Sequence, residues 1–208
     1  MALRDSLFIH SIKEYIRLLS SSAPTPGGGS TSAVVASLGA AIALMAARIS
    51  DRSEVEIELQ IRIQSLLKHL DHFEALCQED IQAFQEVMTA LEKKEEKEQL
   101  QHRILQAAQV PFELARECLD TICLCGELLY RIKKNVLSDL GCAVLFLDAA
   151  CQGALLTMSI NLKYIKDSKQ LQFYQGEVER LKKQSRVTCK DILKRVETQM
   201  ENIRSKEK

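Results

Sequence analysis

Tryptophan is absent from this chain, aromatic residues make up only 5% of it, and proline occurs three times in 208 residues. A β-rich domain shows aromatic and β-branched runs cut by frequent turn residues. The long unbroken Glu/Lys/Leu/Gln/Ala stretches found here favour helix instead. An excess of either charge is also missing, because 28 basic and 28 acidic residues cancel. Nucleic-acid binders carry a basic bias, so that partner class is set aside. A membrane span needs about 18–20 strongly apolar residues, and residues 33–47 fall short of that. That run (AVVASLGAAIALMAA) is diluted by Ala, Ser and Gly and reads as a helix buried inside a bundle. The first fifteen residues mix acid with base and hold no apolar core region, so no signal peptide is expected.

Histidine is scarce too. The four (His10, His69, His72, His102) show no pairing with a nucleophile, and no third ligand is apparent for His69 and His72 on their shared helix face. Cysteine is present but unordered: the seven are odd in number and scattered, and Cys123-Leu-Cys125 sends its thiols to different faces of a helix. Neither a disulfide framework nor a metal site is expected, and the cysteines read as reduced, mostly buried thiols of a cytoplasmic protein.

What is present is helical periodicity. Ser11 can cap a short helix with a stripe at Ile12, Tyr15, Ile16 and Leu19. A second helix is predicted from Ser30 to Ser50, rich in Ala, Ser and Gly and so suited to close helix–helix approach. Ser53 with Glu56 has the spacing of a capping box for a third helix, which reaches about Lys94 with apolar positions at Ile57, Ile61, Leu66 or Leu67, Leu70, Phe73 and Cys77. A fourth spans about Gln99–Tyr130, with a break or kink expected near Val110 because Pro111 removes a ladder hydrogen bond. A fifth, about Ser138–Lys166, is apolar nearly all round and should be central. A sixth runs from about Ser168, becoming more polar. The expected fold is an all-α, single-domain bundle of about six helices over residues 1–208, with long central helices.

Two places break the pattern. Residues 21–34 (SSAPTPGGGSTSAV) hold two of the three prolines and three of the eight glycines directly before an apolar helix. Helix amino ends carry unpaired N–H groups and partial positive charge, and glycines let a flat ligand approach the backbone. The alternative is a flexible turn with an ordinary cap. The second place is Asp80, which falls within the apolar line Phe73, Cys77, Phe84, Val87 and Leu91. A carboxylate on a core face is costly unless paired or used. It serves either proton transfer, with a raised pKa, or a structural bond to a neighbouring helix end. Ser138-Asp139 reads as a cap with an acid in the first turn. Asp148 could pair with a Lys or Arg, and Asn161 is a polar residue in a mainly buried helix.

In this order, APTPGGGSTSAVVASLGAAIALMAA, DIQAFQEVMTA, QVPFELARECL and LSDLGCAVLFLDAACQGALLTMSINLKYIKD together resemble the formiminotetrahydrofolate cyclodeaminase / methenyltetrahydrofolate cyclohydrolase family over nearly the whole chain. The resemblance implies an all-α bundle, a homodimer or higher assembly, and a folate groove. It implies a tetrahydrofolate derivative as substrate, with no separate cofactor and no metal. It implies Asp80 as proton carrier, Gly27, Gly28, Gly29 and Ser30 as the loop against folate, Ser138 and Asp139 as pterin partners, and Asn161 in a more structural part. The family pattern departs at two points: Leu91-Glu92-Lys93-Lys94 stands where Leu-Pro-Lys is common, and Ile132-Lys133 where Gly-Asn is common. Those departures motivate an alternative: a helical folate-binding or interaction module of the same fold that lacks turnover.

Overall fold

The computed structural model describes residues 6–51 and 57–206, with side chains through 202. Six α-helices follow one another: α1 (Ile12–Leu19), α2 (Gly28–Ser50), α3 (Ile57–Glu92), α4 (Lys97–Leu128), α5 (Leu137–Asn161) and α6 (Ser168–Lys206). Short 3-10 turns cover Leu7–Ile9, Lys134–Val136 and Leu162–Tyr164, and no strand occurs among the described residues. The all-α bundle is therefore as the sequence implies. The Ser53–Glu56 capping box lies outside the described residues.

α2, α3, α4 and α5 surround one core, with α6 laid across α4 and α5. α2 and α5 run antiparallel and very close, which their small residues permit. An added Cβ on Gly39 would stand 2.9 Å from Leu147, and one on Gly153 would stand 2.4 Å from Ser32 Oγ. Both helices are long and apolar enough to span a bilayer by length and composition, yet 56% and 50% of their most apolar windows are buried within the bundle. α5 is central on one side only. Leu145, Phe146 and Leu156 are exposed, as are Leu38, Met45 and Ile49 on the neighbouring face of α2.

Three expectations are corrected. The start of α3 buries Leu59, Ile63 and Leu66, while Ile57 and Ile61 are exposed. α5 begins at Leu137 after the Lys134–Val136 turn, so Val136 occupies the cap position and Ser138 lies inside the first turn. α4 does not break at Pro111. Proline has no N–H to give the carbonyl four residues earlier, here Ala107. Asn161, at the end of α5, donates its side-chain amide to that carbonyl at 2.8 Å and replaces the missing bond.

Among the described residues, Asp148 pairs with no Lys or Arg. It accepts from Ser185 Oγ at 2.8 Å and from Gln152 Nε2 at 3.3 Å, a polar link between α5 and α6. All seven cysteines are free thiols, and five of them are buried.

Candidate site at the amino end of α2

Gly27 caps α2 in extended conformation, and Gly28 and Gly29 are its first helical residues. The helix thus starts two residues before the expected Ser30. Ser30, fully buried, accepts the Gly27 N–H on its Oγ at 3.1 Å. None of the glycines has a positive φ. Conformational freedom is therefore not why glycine stands here; space is. A Cβ on Gly29 would sit 2.1 Å from Asp80 Oδ1, so the α3 carboxyl occupies the volume that a side chain would fill. Gly28 faces Thr157 of α5, where a Cβ would meet Oγ1 at an ordinary 3.6 Å.

Asp80 leaves part of its flank open to solvent, but its carboxyl is held against the α2 backbone. Burial pushes its pKa up to about 6, and the Ser30 backbone N–H, which donates to the carboxylate, pulls the other way. Desolvation disfavours charge, and a helix amino end favours it; here the first effect wins. The result is a carboxyl that binds and releases a proton near neutral pH, the property that a general acid–base group needs. Cys77, one turn back on α3, is buried and its thiol is pushed up to about 12, so it stays protonated and inert. Tyr15 of α1 donates its hydroxyl to Thr31 Oγ1 at 2.9 Å and pins α1 beside this helix end.

The structure therefore brings together Gly27, Gly28, Gly29, Ser30 and Asp80, and adds Thr157, which no sequence pattern marked. Asn161 lies at the same end of the bundle, with its amide held by Ala107. Ser138 and Asp139 are not there. They open α5 at its opposite end, near the carboxyl end of α2, where the Lys133 backbone N–H reaches Ser50 Oγ at 2.8 Å and its Nζ reaches the Ile49 carbonyl at 2.5 Å. From Ser138 to Thr157 the helix rises about 28 Å. Lys93 and Lys94 are exposed at the far end of α3. Sequence reasoning also missed a partner for the His69/His72 pair: Glu117 of α4 lies 2.6 Å and 3.1 Å from their Nδ1 atoms. That acid lies 37 positions further along the chain from Asp80 (117 − 80), with no periodic signal linking it to the two histidines.

The antiparallel bundle of long helices, with a carboxyl of α3 seated against the amino end of α2, defines the chain as an all-α protein. Residues 11–180 match the formiminotransferase-cyclodeaminase family model, and the chain belongs to that family. It is 28% identical to a methenyltetrahydrofolate cyclohydrolase of Methylorubrum extorquens, over 76% of this chain and 81% of that one. It is 30% identical to the formimidoyltransferase-cyclodeaminase of Gallus gallus over 74% of this chain, which spans only 31% of that relative. The fold superposes on a formiminotetrahydrofolate cyclodeaminase from Thermotoga maritima with a TM-score of 0.80 at 26% identity, covering 94% of this chain and 98% of that one.

Proposed function

We propose that this chain forms or opens 5,10-methenyltetrahydrofolate, as a formiminotetrahydrofolate cyclodeaminase or a methenyltetrahydrofolate cyclohydrolase, with Asp80 as proton carrier. The observation that carries the assignment of Asp80 is its dehydrated carboxyl, seated in the space left by Gly29. Family membership and the two kinds of relative support the reaction class.

In the deaminase direction N10 attacks the carbon of the protonated formimino group, Asp80 takes the N10 proton, and the same proton passes to the resulting amine, which departs as ammonia and leaves the methenyl cation. In the hydrolase direction Asp80 takes a proton from water as oxygen bonds to the methenyl carbon. It then protonates N5 as the N5–carbon bond breaks, leaving 10-formyltetrahydrofolate and one released proton. Both routes ask for proton transfer and positioning, and neither asks for a cofactor beyond the folate. The Gly27–Ser30 backbone is the surface against which the ligand lies.

Ser138 and Asp139 join this site only through a second subunit. The exposed apolar face of α2 and α5 is of the kind that homodimers cover. A two-fold axis across these antiparallel helices swaps their ends, setting the partner subunit's Asp139 beside Gly27–Ser30. The free thiols fit a reducing cytoplasm.

The test is the absorbance of methenyltetrahydrofolate near neutral pH, with and without protein, from each substrate. Catalysis that vanishes in Asp80→Asn is the expected result. No rate above buffer with either substrate favours the second reading, a folate-binding module without turnover, to which the solvent-exposed Lys93 and Lys94 lend support.

A further inference from the structure

Asp80 and Phe84 stand one turn apart on α3, in a stripe that also contains Phe73 and Cys77, which are 0% and 1% exposed. A phenyl ring in register with those two belongs in the interior, yet Phe84 is 37% exposed. Helix length explains the difference. α2 begins at Gly28, beside Asp80, while α3 continues to Glu92. Beyond Asp80 the inward stripe of α3 has therefore lost its α2 neighbour. On the opposite side Ile160, almost a turn past Thr157 on α5, is also exposed. The α2 amino end thus presents glycine backbone against one carboxyl, with exposed Phe84 one turn further along α3 and exposed Ile160 almost a turn further along α5.

The geometry points to Phe84 as the platform on which the flat pyrimidine half of the tetrahydropterin stacks, holding the N5–N10 edge over Asp80. The inference rests on the folate reading above and adds the residue that would orient the ring. One turn separates the two side chains by about 6 Å along the helix, the scale of the distance between a pterin's planar half and its reacting edge. An offset stack suits an aromatic ring with one face free. Met88 and Leu91 continue the apolar line but offer no flat face and lie further from the carboxyl.

The chain has no tryptophan, so Phe84→Trp introduces a single tryptophan at the proposed contact, excited selectively at wavelengths beyond the absorption of the four tyrosines. Titration with 5-formyltetrahydrofolate, a stable analogue, should quench its emission saturably. Leu91→Trp, two turns from Phe84 on the same stripe, measured at the same ligand concentrations, should show only the linear loss from light absorption. In turnover, Phe84→Leu should raise KM about tenfold, the scale of one lost stacking contact, with kcat within about threefold. Phe84→Tyr should restore KM, because it returns a flat ring. Wild-type turnover with no saturable quenching in Phe84→Trp, or with an unchanged KM in Phe84→Leu, overturns the inference and leaves the folate reading standing. Quenching in Phe84→Trp without wild-type turnover sustains the inference and selects the binding-module reading. Absence of both removes the inference together with the reading it rests on.

Discussion

The two ends of the α2–α5 pair differ in how they treat charge. At the carboxyl end of α2, charged side chains meet partners: Lys133 bonds to Ser50 and Ile49, Arg62 meets Glu127 at 3.1 Å, and Arg131 pairs with Glu58, although Asp51 Oδ1 and Arg62 Nε are buried without one. At the amino end, Asp80 faces burial with the Ser30 N–H as its aid, and among the described residues no cation acts on it. Matched charges hold helix ends and are worth little at the surface. A dehydrated acid without a cation is a poor stabiliser, and such groups cluster where protons move. The proposed chemistry thus falls at the end where the acid is dehydrated, and the paired charges fall at the other.

The sharpest way to break that contrast is Asp80→Asn. Loss of a positioned acid–base group should lower kcat about 10²–10⁴-fold, measured by methenyltetrahydrofolate absorbance. The same change should stabilise the fold. Burial lifts the folded-state pKa to about 6 from the ordinary 3.8, so the folded chain holds the proton more tightly than the unfolded chain. Wild-type stability should therefore fall as pH rises from about 4 to about 6 and then level off. A shift of that size corresponds to about 3 kcal/mol, so Asp80→Asn should gain on the order of that figure at pH 8 and almost nothing at pH 4. Urea melts at the two pH values test it. An activity loss with no pH-dependent stability gain would mean that the carboxyl is solvated and the contrast is false. Activity itself should show a limb near pH 6.

Gly29→Ala comes next. Its Cβ would meet the Asp80 carboxyl at 2.1 Å, so the acid must move. A displacement of about 1 Å at the reacting centre costs about a hundredfold in rate, and overpacking costs about 1–3 kcal/mol. Gly28→Ala, with ordinary contact to Thr157, should alter both far less. Equal effects at the two positions would show that the loop needs flexibility rather than space.

Mixing two weak variants sharpens the comparison by asking whether the two ends meet across subunits. If the partner subunit's Asp139 completes each site, Asp80→Asn and Asp139→Asn chains that exchange subunits should recover about a quarter of wild-type activity. Half of the random dimers are mixed, and each mixed dimer keeps one intact site. Recovery should be absent before exchange. No recovery, together with exchange proved by a size-tagged chain, would return Ser138 and Asp139 to a purely local role.

Much of this architecture was legible in the sequence because helix signals are local. Ser11 and Glu14 form the capping box at α1, and Phe73 and Cys77 correctly marked the inner face of α3. Phasing failed where several apolar residues compete: Ile57 and Ile61 are as apolar as Leu59 and Ile63, and only the position of α2 decides which pair is covered. The glycine loop and Asp80 were each visible, but not the reason they belong together, since the seating of the Asp80 carboxyl in the space beside Gly29, 51 positions away (80 − 29), is a tertiary fact. Thr157 escaped notice because a hydroxyl in an apolar helix has no periodic signature, and Glu117 because its two histidines lie on another helix. Ser138 holds its place in the resemblance, yet α5 carries it to the opposite end of the α2–α5 pair from Gly28 and Thr157, a separation that no local pattern signals.

The smallest expected effect concerns Pro111 and Asn161, which belong to the scaffold even though Asn161 lies near the chemical end. Pro111 leaves the Ala107 carbonyl without its helical donor, and the Asn161 amide takes that place at 2.8 Å. Asn161→Ala should therefore leave a partly buried carbonyl without its donor and cost on the order of 1 kcal/mol. Pro111→Ala restores a backbone N–H to the same carbonyl and relieves the proline constraint. In the Pro111→Ala background Asn161→Ala should accordingly cost much less, and a double-mutant cycle by urea melting should give a coupling energy of at least about 0.5 kcal/mol. Substrate KM should stay within about twofold in the doubly substituted chain. Additive stability losses would show that the two residues act separately. A large rise in KM with stability restored would instead move Asn161 out of the scaffold and into the ligand's surroundings, because refilling the carbonyl would then have repaired the helix and not the site.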